Sequence, residues 1–236
     1  MTHEIRLADR WDAPAAAAEV ARTWALSGNL RLDGALPPPV ADALEAALRA
    51  QAFELTRSAV DMYQYWRSDL YYDSVCDHVL CALGRWIHQE GPSVVGRLVG
   101  VPLRAPEDEL ISANLYTKGS YLDIHNDFGK GRAVAFVFGL TRDPWGAEEG
   151  GWLEFVARGR AWDEVTPEER DATPEVVLAR PPGWNTLDLF DVRTPDRWHR
   201  VTIVRTWRQR VTVSGWFYPD VPRVAGAPTP PIAQSR

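Results

Sequence analysis

The sequence predicts an α+β, mainly β protein, with a sheet-rich core supported by helices from its N-terminal part. Three observations carry this expectation. Residues up to about 108 place apolar side chains at helical spacing around one short β-like run, whereas from Glu109 onward the pattern changes to short strands separated by turn signals. With 236 residues, 45% apolar and 11% aromatic, the chain can bury one sizeable core without a second domain. The expected organisation is a helical support region over 1–108, a β core over 109–220 and a flexible Pro/Ala-rich tail over 221–236.

Pro14 opens an Ala-rich helix from Ala15 to Leu26 that stops at Ser27-Gly28-Asn29. Leu30 to Leu36 reads as a short strand leaving into Pro37-Pro38-Pro39, where proline suits the start of a helix. That helix is expected from about Val40 to Leu55, with Ala41, Leu44, Ala47 and Leu48 at helical spacing. The stretch from Tyr63 to Asp73 is polar and aromatic without helical or strict strand period, and it is read as a substrate-binding loop or lid. A third helix from Ser74 to about Gln89 turns Val75, Val79, Leu80, Leu83 and Ile87 inward, and a short fourth lies around Val94 to Leu98. Leu115 to Leu122 is a β-leaning run interrupted by Gly119, and Ala133 to Phe138 reads as a buried strand. Gly159 to Glu175, charged and holding Pro167 and Pro174, is expected as an excursion between barrel strands.

A formal charge of −6 and a pI near 5.4 argue against a nucleic-acid partner, which needs clustered Lys and Arg against phosphates. The local cluster Arg200, Arg205, Arg208 and Arg210 reads mostly as solvated surface. Cys76 and Cys81 are the two cysteines, both inside the predicted third helix, and no disulfide framework follows from them. With no leading signal segment and no apolar run near eighteen residues, a cytoplasmic protein without membrane contact is expected. The oligomeric state is not legible.

The chemistry concentrates in His125-Asn126-Asp127, followed about seventy residues later by His199 and then Arg210. Two imidazoles and one carboxylate can occupy one face of an octahedral Fe(II) and leave the opposite face open. An H-x-D whose side chains point the same way needs extended backbone, and the β-leaning surroundings supply it.

From Tyr116 to Tyr218 the chain resembles the catalytic core of the Fe(II)/2-oxoglutarate-dependent dioxygenases, in the prolyl-hydroxylase-like branch. The matching words are Tyr116, Gly119-Ser120-Tyr121-Leu122, His125-Asn126-Asp127, Gly150-Gly151-x-Leu153-x-Phe155, Trp184-Asn185-x-Leu187-x-x-Phe190, Trp198-His199-Arg200-Val201 and Arg210 through Phe217. This resemblance implies a double-stranded β-helix, the jelly-roll or cupin-like barrel, with Fe(II), 2-oxoglutarate and O₂ as cofactors and ascorbate as a stimulant. It implies His125, Asp127 and His199 as catalytic metal ligands. Arg210 would hold the far carboxylate of the co-substrate through its planar fork, with Thr212, Tyr116 and Asn114 beside it. Arg208 shares the strand parity of Arg210, so register decides between them. Where hypoxia-sensing prolyl hydroxylases have a further co-substrate tyrosine, this sequence places Gly139.

Related halogenases have Ala or Gly at the carboxylate position, so Asp127 favours hydroxylation of an unactivated C–H, coupled to decarboxylation of 2-oxoglutarate to succinate and CO₂. The substrate would be an amino acid, a peptide or protein residue (proline among them) or a related small secondary metabolite. Trp66, Tyr71, Trp145, Trp152 and Trp216 are the expected substrate-binding residues. Two other readings stay open on the residues: a cupin-like metal-dependent hydrolase or lyase, and a non-catalytic binding barrel.

Overall fold

Pro14 stands at the first turn of helix α1 (Pro14–Ser27), where its missing N–H costs nothing, and Gly28 ends the helix in the left-handed region at φ 64°. The Gly28 N–H donates to the Trp24 carbonyl. The fold seen here is that of a computed structural model, which describes residues 4–11, 13–70, 76–106, 111–142, 144–157 and 174–220. After α1 come β1 (Asn29–Asp33), α2 (Pro38–Arg49), β2 (Glu54–Arg57), β3 (Tyr63–Leu70), α3 (Val79–Gln89) and α4 (Gly91–Val99). The β-rich part follows as β4 (Leu103–Arg104), β5 (Ile111–Tyr116), β6 (Tyr121–His125), β7 (Val134–Leu140), β8 (Leu153–Val156), β9 (Val176–Arg180), β10 (Trp184–Asp191), β11 (His199–Val201) and β12 (Arg210–Pro219).

The strands pair antiparallel in the order β1-β10-β7-β12-β5-β3-β6-β11-β8-β9, with β2 on β3 and β4 on β12. The long sheet curls where β3 hands over to β6 through Tyr63 opposite Leu122 and Gln64 opposite Tyr121. Beyond that corner, β6, β11, β8 and β9 form a second wall. Arg180 on β9 closes the far side by donating to Asp188 on β10 at 2.8 Å and to the Leu30 carbonyl of β1 at 2.9 Å. This is the double-stranded β-helix layout that the sequence resemblance implies.

Strand parity splits the long sheet chemically. Leu30, Leu32, Phe136, Phe138, Leu187, Leu189, Val211, Val213 and Phe217 are buried in one cluster with Leu44, Leu48, Leu83 and Ile87 of the helices. Burying one such side chain stabilises by roughly 1.5–3 kcal/mol. The opposite face turns Arg31, Asn114, Tyr116, Asp188, Arg210 and Thr212 into the barrel. A one-residue slip of any strand would exchange these faces, so register is strongly specified.

Four expectations are corrected. Helix α2 stops at Arg49, six residues early, because Glu54–Arg57 pairs with β3, and tertiary pairing overrides local propensity. The stretch from Tyr63 through Leu70 is no loop or lid: it is strand β3, hydrogen-bonded to β2, β5 and β6. Its last part, Tyr71 to Asp73, lies outside the described residues. Helix α3 begins at Val79 rather than Ser74, with His78 as its N-cap accepting from the Leu80 N–H at 3.3 Å. Cys76 therefore precedes the helix and turns back to form a disulfide with Cys81, Cα to Cα 5.9 Å, a bond not expected from two cysteines in one helix. The predicted excursion falls almost wholly on 158–173, and the tail on 221–236, both outside the described residues. No helix among the described residues is long and apolar enough to cross a membrane.

Candidate active site

β6 and β11 bring the two histidines together, because His199 lies directly opposite His125 in the ladder. β6 ends at His125, and Asp127 follows two residues later, outside the strand but turned back between the rings. Asp127 Oδ2 is 3.4 Å from His199 Nε2, and its Oδ1 is 3.8 Å from His125 Nε2. One ligand atom from each of the three residues lies within 4.8 Å of the others. His125 Nδ1 is 2.7 Å from the Asp123 carbonyl and His199 Nδ1 is 3.2 Å from the Arg197 carbonyl. A carbonyl only accepts, so each Nδ1 donates there and each Nε2 is the nitrogen turned inward, the one a metal would take. Phe190 packs against the His199 ring at 4.8 Å between centroids and holds its orientation.

Burial pushes the His125 imidazole down to about 4, helped by the neighbouring His199 and opposed by the Asp127 charge. Burial alone would raise Asp127. Hydrogen bonding and charge from His199, then the charge of His125, overcome that and hold the carboxyl well below the usual carboxylate range. The result is two imidazole Nε2 atoms and one carboxylate converging on a point, a donor set that fits Fe(II).

The same cavity, about 110 Å³, is lined by His125, Asp127, His199, Tyr116, Arg210 and Trp216. Arg210 enters it because β12 pairs Arg210 with Tyr116 and Thr212 with Asn114, which puts all four on the inner face. Arg210 is 5% exposed, its guanidinium stands 4.8 Å from the Tyr116 ring centroid, and among the described residues no carboxylate pairs with it. A buried guanidinium without a carboxylate is costly, so the arrangement fits a site completed by an anionic ligand. Asn114 is held by its own neighbours, donating to Ser214 Oγ at 2.9 Å. Arg208 instead lies outside, donating to Glu149 at 2.9 Å and to the Arg142 carbonyl at 2.7 Å. The register thus brings Arg210 and leaves Arg208 out.

The aromatic residues expected to touch substrate divide. Trp216 lines the cavity, with the Arg132 guanidinium 3.6 Å above its ring. Trp66 does not: it alternates with Tyr65 along β3, and Tyr65 takes the inner side, stacking on Tyr116 at 5.0 Å. Trp145 is packing rather than contact surface, 8% exposed among Tyr116, Val201 and Val204, with its ring N–H donating to the Gly150 carbonyl at 2.6 Å. Trp152 packs against the same cluster from outside the cavity. Tyr71 lies outside the described residues. Tyr65 was missed because Tyr63 to Asp73 was read without a strand period; as a strand, its odd-numbered residues share a face.

Residues 111–218 match the profile of the 2OG-Fe(II) oxygenase superfamily. A prolyl 3,4-dihydroxylase of Ostreococcus tauri is 32% identical over 137 residues, covering 56% of this chain and 25% of the relative. A prolyl 3-hydroxylase of Drosophila melanogaster is 27% identical over 195 residues, covering 80% of this chain and 34% of the relative. The chain thus spans about a quarter to a third of the length of these curated relatives. In fold it is similar to a Pseudomonas putida prolyl-4-hydroxylase, at TM-score 0.60 and 20% identity over 86% of this chain and 98% of that one. Profile, relatives and barrel agree: residues 111–218 carry the 2OG-Fe(II) oxygenase profile, and the chain is similar to prolyl hydroxylases in sequence and in fold.

Proposed function

We propose that the chain is a dioxygenase that hydroxylates an unactivated C–H of a peptidyl residue, prolyl in the first instance, while 2-oxoglutarate is decarboxylated to succinate and CO₂. One observation supports the reading most: a single cavity holds the His125, Asp127 and His199 cluster together with a buried Arg210 that lacks a carboxylate partner among the described residues. In this reading those three residues hold Fe(II), and Arg210, Tyr116, Thr212 and Asn114 hold the co-substrate. The bound metal supplies the oxidation of the C–H bond with O₂. The protein supplies a fixed tautomer at each histidine, an ionised Asp127, a cation at the far carboxylate and an apolar wall in Phe190, Ala135 and Leu153 that limits water. The prolyl preference rests on what the relatives are named for, and Trp216 and Tyr65 offer aromatic surfaces that suit a pyrrolidine ring.

A cupin-like hydrolase or lyase has no use for a buried cation aimed at a dicarboxylate, and a binding barrel has no use for the depressed Asp127. We place the chain in the cytoplasm, where reducing conditions maintain Fe(II), and as a domain whose core is 109–220. The Cys76–Cys81 bond points the other way on compartment. Turnover of 2-oxoglutarate to succinate in air with Fe(II), screened against proline-containing peptides and free amino acids, tests the proposal. Peptide-dependent succinate together with a product heavier by one oxygen is expected; succinate that no amino acid or peptide stimulates would overturn the substrate class.

A further inference from the structure

Thr186 sits on β10 opposite Gly139 on β7, one residue after a register shift between Trp184 and Thr186. Asn185 makes that shift by adopting φ 57°, and its side chain is fastened to Leu36, accepting from its N–H at 2.9 Å and donating to its carbonyl at 2.8 Å. The bulge aims Thr186 into the barrel. There the residue is 5% exposed, and its hydroxyl has no hydrogen-bond partner among the described residues. A side chain on Gly139 would stop this: a Cβ there would lie 2.3 Å from Thr186 Oγ1 and 2.8 Å from the Gly183 carbonyl. Thr141 nearby is a contrast, since its hydroxyl both donates to the Val211 carbonyl and accepts from the Val211 N–H.

Arg210 Nε is likewise buried and without a partner among the described residues. Thr186, Arg210 and Thr212 line one small cavity of about 10 Å³, and Arg210 and Thr212 also line the larger cavity that holds the histidines. The wall around it is cationic. Arg31 and Arg180 already share Asp188, with contacts of 2.8–2.9 Å, which leaves that carboxylate engaged by both of them. Two buried unpaired donors, aimed at one space in a cationic wall, call for an acceptor with negative charge.

We propose that Thr186 is a co-substrate-binding residue: its hydroxyl donates to the far carboxylate of 2-oxoglutarate beside the Arg210 fork, in the space that Gly139 leaves free. The proposal rests on the co-substrate reading given above. It makes Thr186 a determinant of selectivity for a 2-oxo acid with a second carboxylate, because a 2-oxo monocarboxylate offers nothing for this hydroxyl to hold.

Calorimetric titration under argon into the Fe(II)-loaded full chain tests this without turnover. Thr186→Val is nearly isosteric and removes the hydroxyl; Thr186→Ser restores it. For one hydrogen bond to a charged group, Thr186→Val should weaken 2-oxoglutarate by about 10-fold or more, with Thr186→Ser within about threefold of the parent. Binding of 2-oxobutanoate, which lacks the far carboxylate, should not change in either variant. Unchanged affinity of Thr186→Val for 2-oxoglutarate overturns the proposal, as does an equal loss for both acids. Parent protein that binds no 2-oxoglutarate at all overturns the co-substrate reading itself, a result separable from the other two.

Discussion

The two faces of the long sheet carry nearly the same backbone and opposite chemistry. Toward the helices, β7, β10 and β12 present Phe136, Phe138, Leu187, Leu189, Val213 and Phe217, each no more than 2% exposed. Toward the barrel, the alternate residues of the same strands include Thr186, Asp188, Arg210 and Thr212, also buried but polar. The outer face holds the fold through apolar packing. On the inner face unpaired polar atoms persist at Arg210 Nε and Thr186 Oγ1, which is the pattern of a surface shaped for a ligand rather than for stability.

The largest effect expected from this contrast is on the outer face. Phe138→Ala should cost about 3–5 kcal/mol, seen as a large fall in Tm, with any activity that survives keeping its normal KM for 2-oxoglutarate. On the inner face the order reverses. Arg210→Lys keeps the charge but loses the planar fork, so KM for 2-oxoglutarate should rise by about 10-fold or more while Tm stays within a few degrees. Arg208→Lys, outside the barrel, should leave KM unchanged, and a sensitive Arg208 with an insensitive Arg210 would show the register of β12 to be misread.

A smaller effect separates the faces by pH. The His125 imidazole is held near 4 by burial, below its ordinary 6.5, so between those values the unfolded chain binds a proton that the folded chain refuses. Stability of the metal-free protein should therefore be full above about pH 6.5 and be lost as pH falls through 4, by about 2–4 °C in Tm per kcal/mol. His125→Gln should flatten that slope, and an unchanged profile would contradict the environment described for His125.

The smallest effect contrasts two neighbours on β3. Trp66→Ala should lower Tm and leave the ratio of succinate to hydroxylated product as it was. Tyr65→Ala, on the cavity side, should disturb that ratio. Uncoupling by Trp66→Ala would reverse the facing of this strand.

How much of this was legible follows from where the information resides. The order His125, Asp127, His199, Arg210 is local chemistry in the sequence; the helices are readable from apolar spacing, and the barrel from the family resemblance. The stop of α1 at Gly28 and the buried strand around Phe136 were equally readable, because glycine and apolar runs act locally. β2 and β3 were not, since Glu54–Arg57 and Tyr63–Leu70 become strands only by pairing with each other and with β5. That one misreading moved Trp66 into the site and left Tyr65 out of it. Trp145 and Trp152 lie outside the cavity for a related reason: indole rings serve packing and recognition equally well, and only their neighbours decide. Thr186 carried no signal, because its direction depends on a bulge at Asn185 fixed by Leu36, about 150 residues earlier in the chain.

The central claim is that His125, Asp127 and His199 hold Fe(II) within reach of a co-substrate anchored at Arg210. Titration of Fe(II) and 2-oxoglutarate under argon, followed through the visible charge-transfer band of the chelate, tests it most directly. The band is expected in the parent protein and should be lost in His125→Ala and His199→Ala, with folded circular dichroism spectra in both. A parent protein without the band, or variants that keep it undiminished, would contradict the account.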